Sequence, residues 1–396
     1  MSHSYDVVIV GGCGRVGLPL GLAFASRGMT VGLYDINAQV VKMVNAAQMP
    51  FAEPGAQQLL EQVVDVSLSA TTDPAVIRKA NAVVVVIGTP VDEHLNPDPN
   101  AVVRTIDELC GHLGDGQLLV LRSTVYPGVT ALVEGVLERR GLRIPVAFCP
   151  ERIAQGKALV ELYELPQIVS GRSEEALTRS EELFRTLTPN IVRLDPEEAE
   201  LAKLFTNVWR YIKFASANQL FMIANEYGLD YERIRSALAQ DYPRAVDLPS
   251  AGFAAGPCLF KDTMQLAAFN NNNFTLGLAS MTINEGLPLY LVARLEARFD
   301  LKSSRVGILG MAFKGDSDDT RSSLSYKLKR ILRFKAAEVL CADPRVNTDP
   351  ELVPVETVLA RADILIIGAP HREFADISTD KPVVDIWNLY GNGVRI

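Results

Sequence analysis

The sequence carries no excess of positive charge: 39 lysines and arginines face 47 aspartates and glutamates, for a formal net charge of −8. That balance argues against a general nucleic-acid or anionic-membrane surface and leaves room for a local basic site that holds a phosphate. No apolar run reaches the length needed to cross a bilayer. Met1-Ser2-His3-Ser4 passes straight into an apolar strand, without the basic, apolar and cleavage regions of a secretory leader, so a cytoplasmic protein is expected. Cysteine is scarce and scattered. The five, at positions 13, 110, 149, 258 and 341, form no close pair and no metal-ligand spacing, which fits a reducing compartment and gives no sign of a disulfide framework or a zinc site. What remains is an ordinary soluble composition, 48% hydrophobic and 22% charged over 396 residues, enough for two or three domains.

Tyr5-Asp6-Val7-Val8-Ile9-Val10 is an apolar run of the kind that forms a buried parallel strand, and it leads into Gly12-Cys13-Gly14-Arg15-Val16-Gly17 and an apolar helical pattern. A second run, Thr30-Val31-Gly32-Leu33-Tyr34, ends at Asp35. An acidic side chain there can take the adenosine ribose hydroxyls of NAD and would repel the 2′-phosphate of NADP. Gly12, Gly14, Arg15, Val16, Gly17 and Asp35 therefore read as an NAD site; a glycine turn that binds nothing is the alternative. Further strand-like runs at 82–87 and 118–121 end in the polar clusters Gly88-Thr89-Pro90-Val91-Asp92 and Arg122-Ser123-Thr124. Ligands of doubly wound sheets sit at such strand ends, so Thr89 and Thr124 are candidate cofactor or substrate hydroxyls, or else caps of the following helices. A last strand over 144–148 ends near Glu151, a candidate general base or a surface carboxylate paired with an arginine.

Asp195-Pro196-Glu197-Glu198 is a helix start, with aspartate as the cap, proline at the first position and acids in the first turn. Helical residues then continue to Gly228, a spine too long for a single crossover. Lys203 and Asn207 lie one turn apart on it and could donate together to a developing oxyanion, or face solvent with no task. In Gly252-Phe253-Ala254-Ala255-Gly256-Pro257-Cys258-Leu259-Phe260-Lys261-Asp262, a glycine-rich loop meets a helix expected to begin at Pro257. Cys258 then falls in the first turn, where the helix dipole favours a thiolate, with Asp262 four residues on. A buried structural cysteine beside a solvated Lys-Asp pair is the other reading. From Arg305 a second set of strand-like runs follows, at 305–310, 338–343, 364–368 and 383–385. The loop after the first of these lacks GxGxxG but offers Lys314 and Arg321 to phosphates. The fold class expected is α/β: two Rossmann-like doubly wound sheets joined by a long central helix and a helical dimerisation region.

In order along the chain, Gly12-Cys13-Gly14-Arg15-Val16-Gly17-Leu18-Pro19-Leu20, Glu53-Pro54-Gly55, Gly88-Thr89-Pro90, Ser123-Thr124, Pro150-Glu151, Lys203 with Asn207, Cys258 with Lys261-Asp262, and Ala312-Phe313-Lys314 with Asp319 and Arg321 resemble the motifs of the nucleotide-sugar 6-dehydrogenases. That UDP-glucose/GDP-mannose dehydrogenase family is matched over essentially the whole chain. The resemblance implies an NAD-binding domain over 1–195, a helical dimerisation region over 196–300 and a nucleotide-sugar-binding domain over 301–396. It also implies two hydride transfers from the C6 alcohol of a nucleotide sugar to NAD, with Cys258 as the nucleophile that carries a thiohemiacetal and then a thioester. Lys203 and Asn207 would stabilise the C6 oxyanion, Asp262 with a water would manage protons, and Glu151 with Thr124 would position or activate the hydrolytic water. Gly256, Lys314 and Arg321 would contact the substrate, and Arg244 would reach the site of a neighbouring subunit in a homodimer. The loop before Cys258 departs from the family's usual Gly-Phe-Gly-Gly-Ser-Cys. Cys-Pro-Glu-Arg-Ile at 149–153 looks like the N-acetylhexosamine branch, whereas Cys258-Leu259-Phe260-Lys261-Asp262 looks like the UDP-glucose branch, so the lean is to a UDP sugar with the hexose open. A single-step NAD-dependent alcohol or hydroxyacid dehydrogenase and a non-catalytic NAD-sensing protein are the rival readings.

Overall fold

A computed structural model describes residues 4–89, 92, 98 and 100–393; of the polar cluster expected after the 82–87 run, Pro90 and Val91 lie outside the described residues. The chain divides into two compact units, Met1–Thr206 and Asn207–Ile396. Among the described residues no helix is long and apolar enough to cross a membrane.

The first unit is built on strands β1 (Tyr5–Val10), β2 (Val31–Tyr34), β3 (Leu68–Thr71), β4 (Ala80–Val85), β5 (Leu118–Leu121) and β6 (Val146–Phe148), paired in the order β3-β2-β1-β4-β5-β6. Every pairing is parallel. Successive side chains of these strands serve opposite faces. Val7, Ile9, Val84 and Val120 enter one core with Leu18, Leu22 and Phe24, and Val8, Val10, Val83, Val85 and Leu121 enter another with Val102, Ile106 and Val133. Two filled faces are the reason these strands read as unbroken apolar runs rather than alternating ones. Val10 stands beside both Tyr34 and Val85, and Val85 beside Leu121, so the strand ends are level and the loops after β1, β4 and β5 emerge together where the order reverses. A separate parallel pair, β7 (Gln167–Ser170) and β8 (Ile191–Leu194), was not foreseen.

The spine helix runs Pro196–Glu226, 31 residues and about 47 Å at the standard rise. It begins at the expected place, where the Asp195 N–H donates to the Glu198 carboxylate at 3.0 Å, the reach-back half of a capping box. One turn further, Glu200 is buried and accepts the N–H of Gly128 at 2.6 Å, the N–H of Thr130 at 2.8 Å and the Thr130 hydroxyl at 2.6 Å. The helix Val129–Arg139 has no cap of its own, because its N-cap is Gly128, and Glu200 supplies the missing acceptor. Burial raises the Glu200 pKa, and the three donors oppose that shift.

The second unit holds the remainder of the spine, the helices Tyr231–Ala239, Leu259–Phe269 and Thr275–Glu296, and a parallel sheet. Its strands are β9 (Arg305–Leu309), β10 (Glu338–Ala342), β11 (Ile364–Ile367) and β12 (Val383–Val384), in the order β10-β9-β11-β12. Phe221, Leu287, Leu291, Leu295, Val306 and Ile308 share one core, so helices and sheet of this unit fold as one body. Glu200→Ala leaves the Gly128 and Thr130 donors unanswered and is expected to lower the unfolding free energy by about 2–3 kcal/mol. Glu200→Gln, which keeps an acceptor oxygen, should lose less than half as much, and urea titration followed by circular dichroism reads both.

Candidate active site

In the first unit the glycine loop is a cradle with one open wall. A Cβ on Gly12 would lie 2.7 Å from the Ile9 carbonyl oxygen and one on Gly17 only 2.4 Å from that of Gly11, so neither position admits a side chain. At Gly14 the nearest atom would be 3.4 Å away, and that residue is exposed. The helix Gly17–Ser26 follows with Val16 as its cap residue, no side-chain cap and no acid in its first turn, which leaves its terminal N–H groups to an anion. Asp35 closes the other side: Oδ2 accepts the Cys13 N–H at 3.1 Å and Oδ1 the Asn37 N–H at 3.0 Å. The Arg15 guanidinium rests 5.0 Å from the centre of the Phe51 ring. This set fits NAD, with room at Gly14 for a pyrophosphate and a fixed carboxylate for ribose hydroxyls.

The loops after β4 and β5 are sewn together. Thr89 Oγ1 donates to the Thr124 carbonyl at 2.8 Å, and Ser123 Oγ accepts the Ile87 N–H at 2.8 Å. Glu151 is paired with an arginine, as one reading had it, but the pair is internal rather than superficial. Arg122 Nε and Nη2 lie 2.9 and 2.7 Å from Glu151 Oε2, while Oε1 accepts the N–H groups of Arg152 and Ile153 at 2.7 and 2.9 Å. Arg122 also donates to the Cys149 carbonyl and to Gln167 Oε1, both at 3.0 Å, and stacks on Phe184. Glu53, in the expected turn, accepts from Gly156 and Ala158 and so fixes the segment after Glu151. The partners of Arg122 and Glu53 lie 27 to 105 residues away in the chain, too far for local sequence patterns to identify them.

In the second unit the helix expected from Pro257 begins at Leu259, with Cys258 as its N-cap residue. The delay has a local cause. Gly256 is held at φ +100 and donates its N–H to the Ser322 carbonyl at 3.3 Å, which keeps the chain in a turn through Pro257. A Cβ on Gly256 would fall 2.8 Å from the Phe313 ring, so the cysteine loop packs directly on the segment that carries Lys314. Cys258 is exposed, whereas Asp262 has no exposed surface. The solvated Lys-Asp pair is thus excluded: Asp262 Oδ2 accepts from Asn207 Nδ2 at 2.5 Å, and Lys261 Nζ lies 2.8 Å from Oδ1. That ammonium is off the hydrogen-bonding direction, so Oδ1 is charge-paired yet has no directed donor. Asn207 spends one amide N–H on Asp262 and retains the other. Lys203 lies one turn earlier on the same helix.

Arg321 is clamped by Asp319, Nε to Oδ1 at 3.0 Å and Nη2 to Oδ2 at 2.7 Å. That pairing is the main cause of its raised pKa, with a smaller Coulombic contribution from Cys258. Lys314 Nζ sits 5.8 Å from the centre of the Phe313 ring, and Arg244 is exposed, stacked over Tyr242 with its Nε donating to the phenol oxygen at 2.7 Å. The other cysteines are held back from ionising. Burial pushes Cys13 and Cys149 up to about 12 and Cys341 up to about 11, and it raises Cys110 as well.

The chain matches three models of the UDP-glucose/GDP-mannose dehydrogenase family: the NAD binding domain over residues 6–188, the central domain over 197–285 and the UDP binding domain over 307–392. It is 30% identical to UDP-N-acetyl-D-mannosamine dehydrogenase of Pyrococcus horikoshii, over 98% of this chain and 93% of the relative. A solved structure of UDP-D-ManNAc dehydrogenase from the same organism superposes with a TM-score of 0.87 at 30% identity, covering 94% of this chain and 91% of that one. A UDP-glucose dehydrogenase from Pyrobaculum islandicum superposes with a TM-score of 0.91 at 25% identity, covering 100% and 97%.

Brief treatment with iodoacetamide near pH 8, followed by peptide mapping, is expected to alkylate Cys258 well ahead of the other four thiols. Alkylation of Cys110 at a comparable rate would contradict that ranking.

Proposed function

The chain belongs to the UDP-glucose/GDP-mannose dehydrogenase family, and from that premise we propose that it oxidises the C6 alcohol of a UDP sugar to the carboxylate in two steps through a thioester on Cys258. NAD is the cofactor and supplies, when bound, the acceptor for both hydrides. The observation that carries the reading is the setting of Cys258: an exposed thiol at a helix N-terminus, in a loop bonded to Ser322 next to Arg321, on the same short helix as a buried carboxylate.

Each group has a task in the proposed sequence. Loss of a hydride and a proton turns the alcohol into an aldehyde. The Cys258 thiolate adds to C6, and the new oxyanion takes N–H donors from Lys203 and from the remaining amide hydrogen of Asn207. The thiohemiacetal stays fixed for a second hydride loss, which leaves a thioester. Water then attacks the acyl carbon, the C–S bond breaks, and the thiolate is regenerated. Asp262 manages the protons, since its Oδ1 has no directed donor and can hold a water. Glu151 has both oxygens committed to Arg122 and to two backbone amides, a state that favours fixing the water-side loop with Thr124 over abstracting a proton. Lys314 and Arg321, next to the cysteine loop, would serve the substrate's phosphates, and Gly256 would admit the sugar close to the backbone. The segments 1–195, 196–300 and 301–396 would then divide the work between cofactor, subunit contact and nucleotide sugar.

A homodimer accompanies this proposal. Phe205, Trp209, Leu220 and Ile223 are exposed on the spine helix, and Tyr227 is exposed just past its end. At 100° per residue they fall within an arc of about 60°, an apolar stripe that a second copy's helix would cover. Arg244, outward and held by Tyr242, is then free to reach the neighbour's substrate.

Counting NADH against each of a panel of UDP-, GDP- and dTDP-sugars tests the reading. Two NADH per sugar and a uronic acid by mass are expected, with turnover lowered more than about 10³-fold in Cys258→Ala. One NADH per sugar, with Cys258→Ala unimpaired, would point to the single-step dehydrogenase instead.

A further inference from the structure

His371, which follows β11, is the one fully buried histidine among the described residues, and the reaction as proposed makes no use of it. One ring nitrogen faces the loop after β9, the other the carboxylate of Asp343 after β10. Nδ1 lies 2.9 Å from the backbone N–H of Asp316 and accepts from it, so Nδ1 carries no proton. Nε2 therefore holds the ring proton and donates to Asp343 Oδ2 at 3.0 Å. That same oxygen accepts the N–H of Met311 at 2.6 Å and of Ala312 at 2.9 Å. The imidazole and the carboxylate thus hold the segment 311–316 at both ends, with Lys314 between them.

Asp343 occupies the place in this sheet that Asp35 occupies in the first. Each follows the strand beside the first strand of its sheet, accepts an N–H from the loop after that first strand, and accepts a second N–H from the residue two further on, Arg345 or Asn37. The difference is what else the carboxylate binds. At Asp343 the remaining capacity goes to Ala312 and His371, so the loop is closed on itself rather than open for a ribose. Asp316, His371 and Glu373 place ligand atoms within 4.8 Å of one another, but Arg372 and Arg345 pair with the two acids and Nδ1 is already occupied, so the cluster is an ion-pair network and not a cation site.

We propose that His371 is a positioning residue that, with Asp343, fixes the loop 311–316 so that Lys314 meets the pyrophosphate of the bound nucleotide sugar. The proposal rests on the reading that this domain binds UDP. A double-mutant cycle on UDP affinity, measured by calorimetry with the full-length protein, tests it. His371→Gln can still reach Asp343 but offers nothing to Asp316, and His371→Asn does the reverse; either is expected to weaken UDP binding about tenfold and to leave NAD binding unchanged. In a Lys314→Ala background the same substitutions should cost less than about twofold, because the group they position is gone. Additive losses in the double variants, equal losses of UDP and NAD affinity, or wild-type UDP affinity in both single variants would each overturn the proposal. Failure of the unsubstituted protein to bind UDP would overturn the substrate reading beneath it as well.

Discussion

Asp262 has no exposed surface, and a carboxylate buried to that degree needs hydrogen bonds and counter-charges to replace the water it has lost. Asn207 and Lys261 do so from two sides. The first contact ties the helix that presents Cys258 to the spine helix, and it orients the Asn207 amide. Remove the asparagine and the carboxylate loses that directed donor; remove the carboxylate and the asparagine is free to turn. The elements that carry Cys258, Asp262 and Asn207, the residues given the thiol, acid and oxyanion roles in the proposed reaction, are therefore joined by a single buried polar contact, and a neighbouring glycine, Gly256, sets where the helix begins.

How much of this could be read from the sequence depended on whether the signal was local. Strands filled on both faces announce themselves as continuous apolar runs, and all the strands of the two large sheets except β3 fell in or beside runs so identified. The spine helix carried its own start signal in Asp195-Pro196, because capping is a contact between near neighbours. Lys203, Asn207, Cys258 and Asp262 could be paired by helical spacing alone. The start of the cysteine helix was misplaced by two residues because proline at a first helical position is a propensity, whereas the bond from Gly256 to Ser322 is a tertiary contact that overrides it.

The residues that sequence reading missed share one property: their partners are distant in the chain. Glu200 caps another helix, Glu53 holds the segment after Glu151, Arg122 neutralises Glu151, and His371 reaches back across the second sheet. No periodicity marks such contacts. The only local hint was an acid or base in a stretch otherwise apolar, as with Arg122 directly after Leu118–Leu121. The same blindness explains β7 and β8, short strands of which the second is largely exposed and lacks a clear pattern.

The central claim is that the second oxidation takes place on carbon bonded to Cys258. Intact-mass and peptide analysis of enzyme quenched within milliseconds of mixing with an accepted UDP sugar and NAD tests it directly. The account predicts a transient, base-labile acyl adduct on the peptide bearing Cys258, its mass that of the nucleotide sugar less four hydrogens, absent without NAD. Formation of uronic acid with that peptide unmodified at every quench time would contradict it.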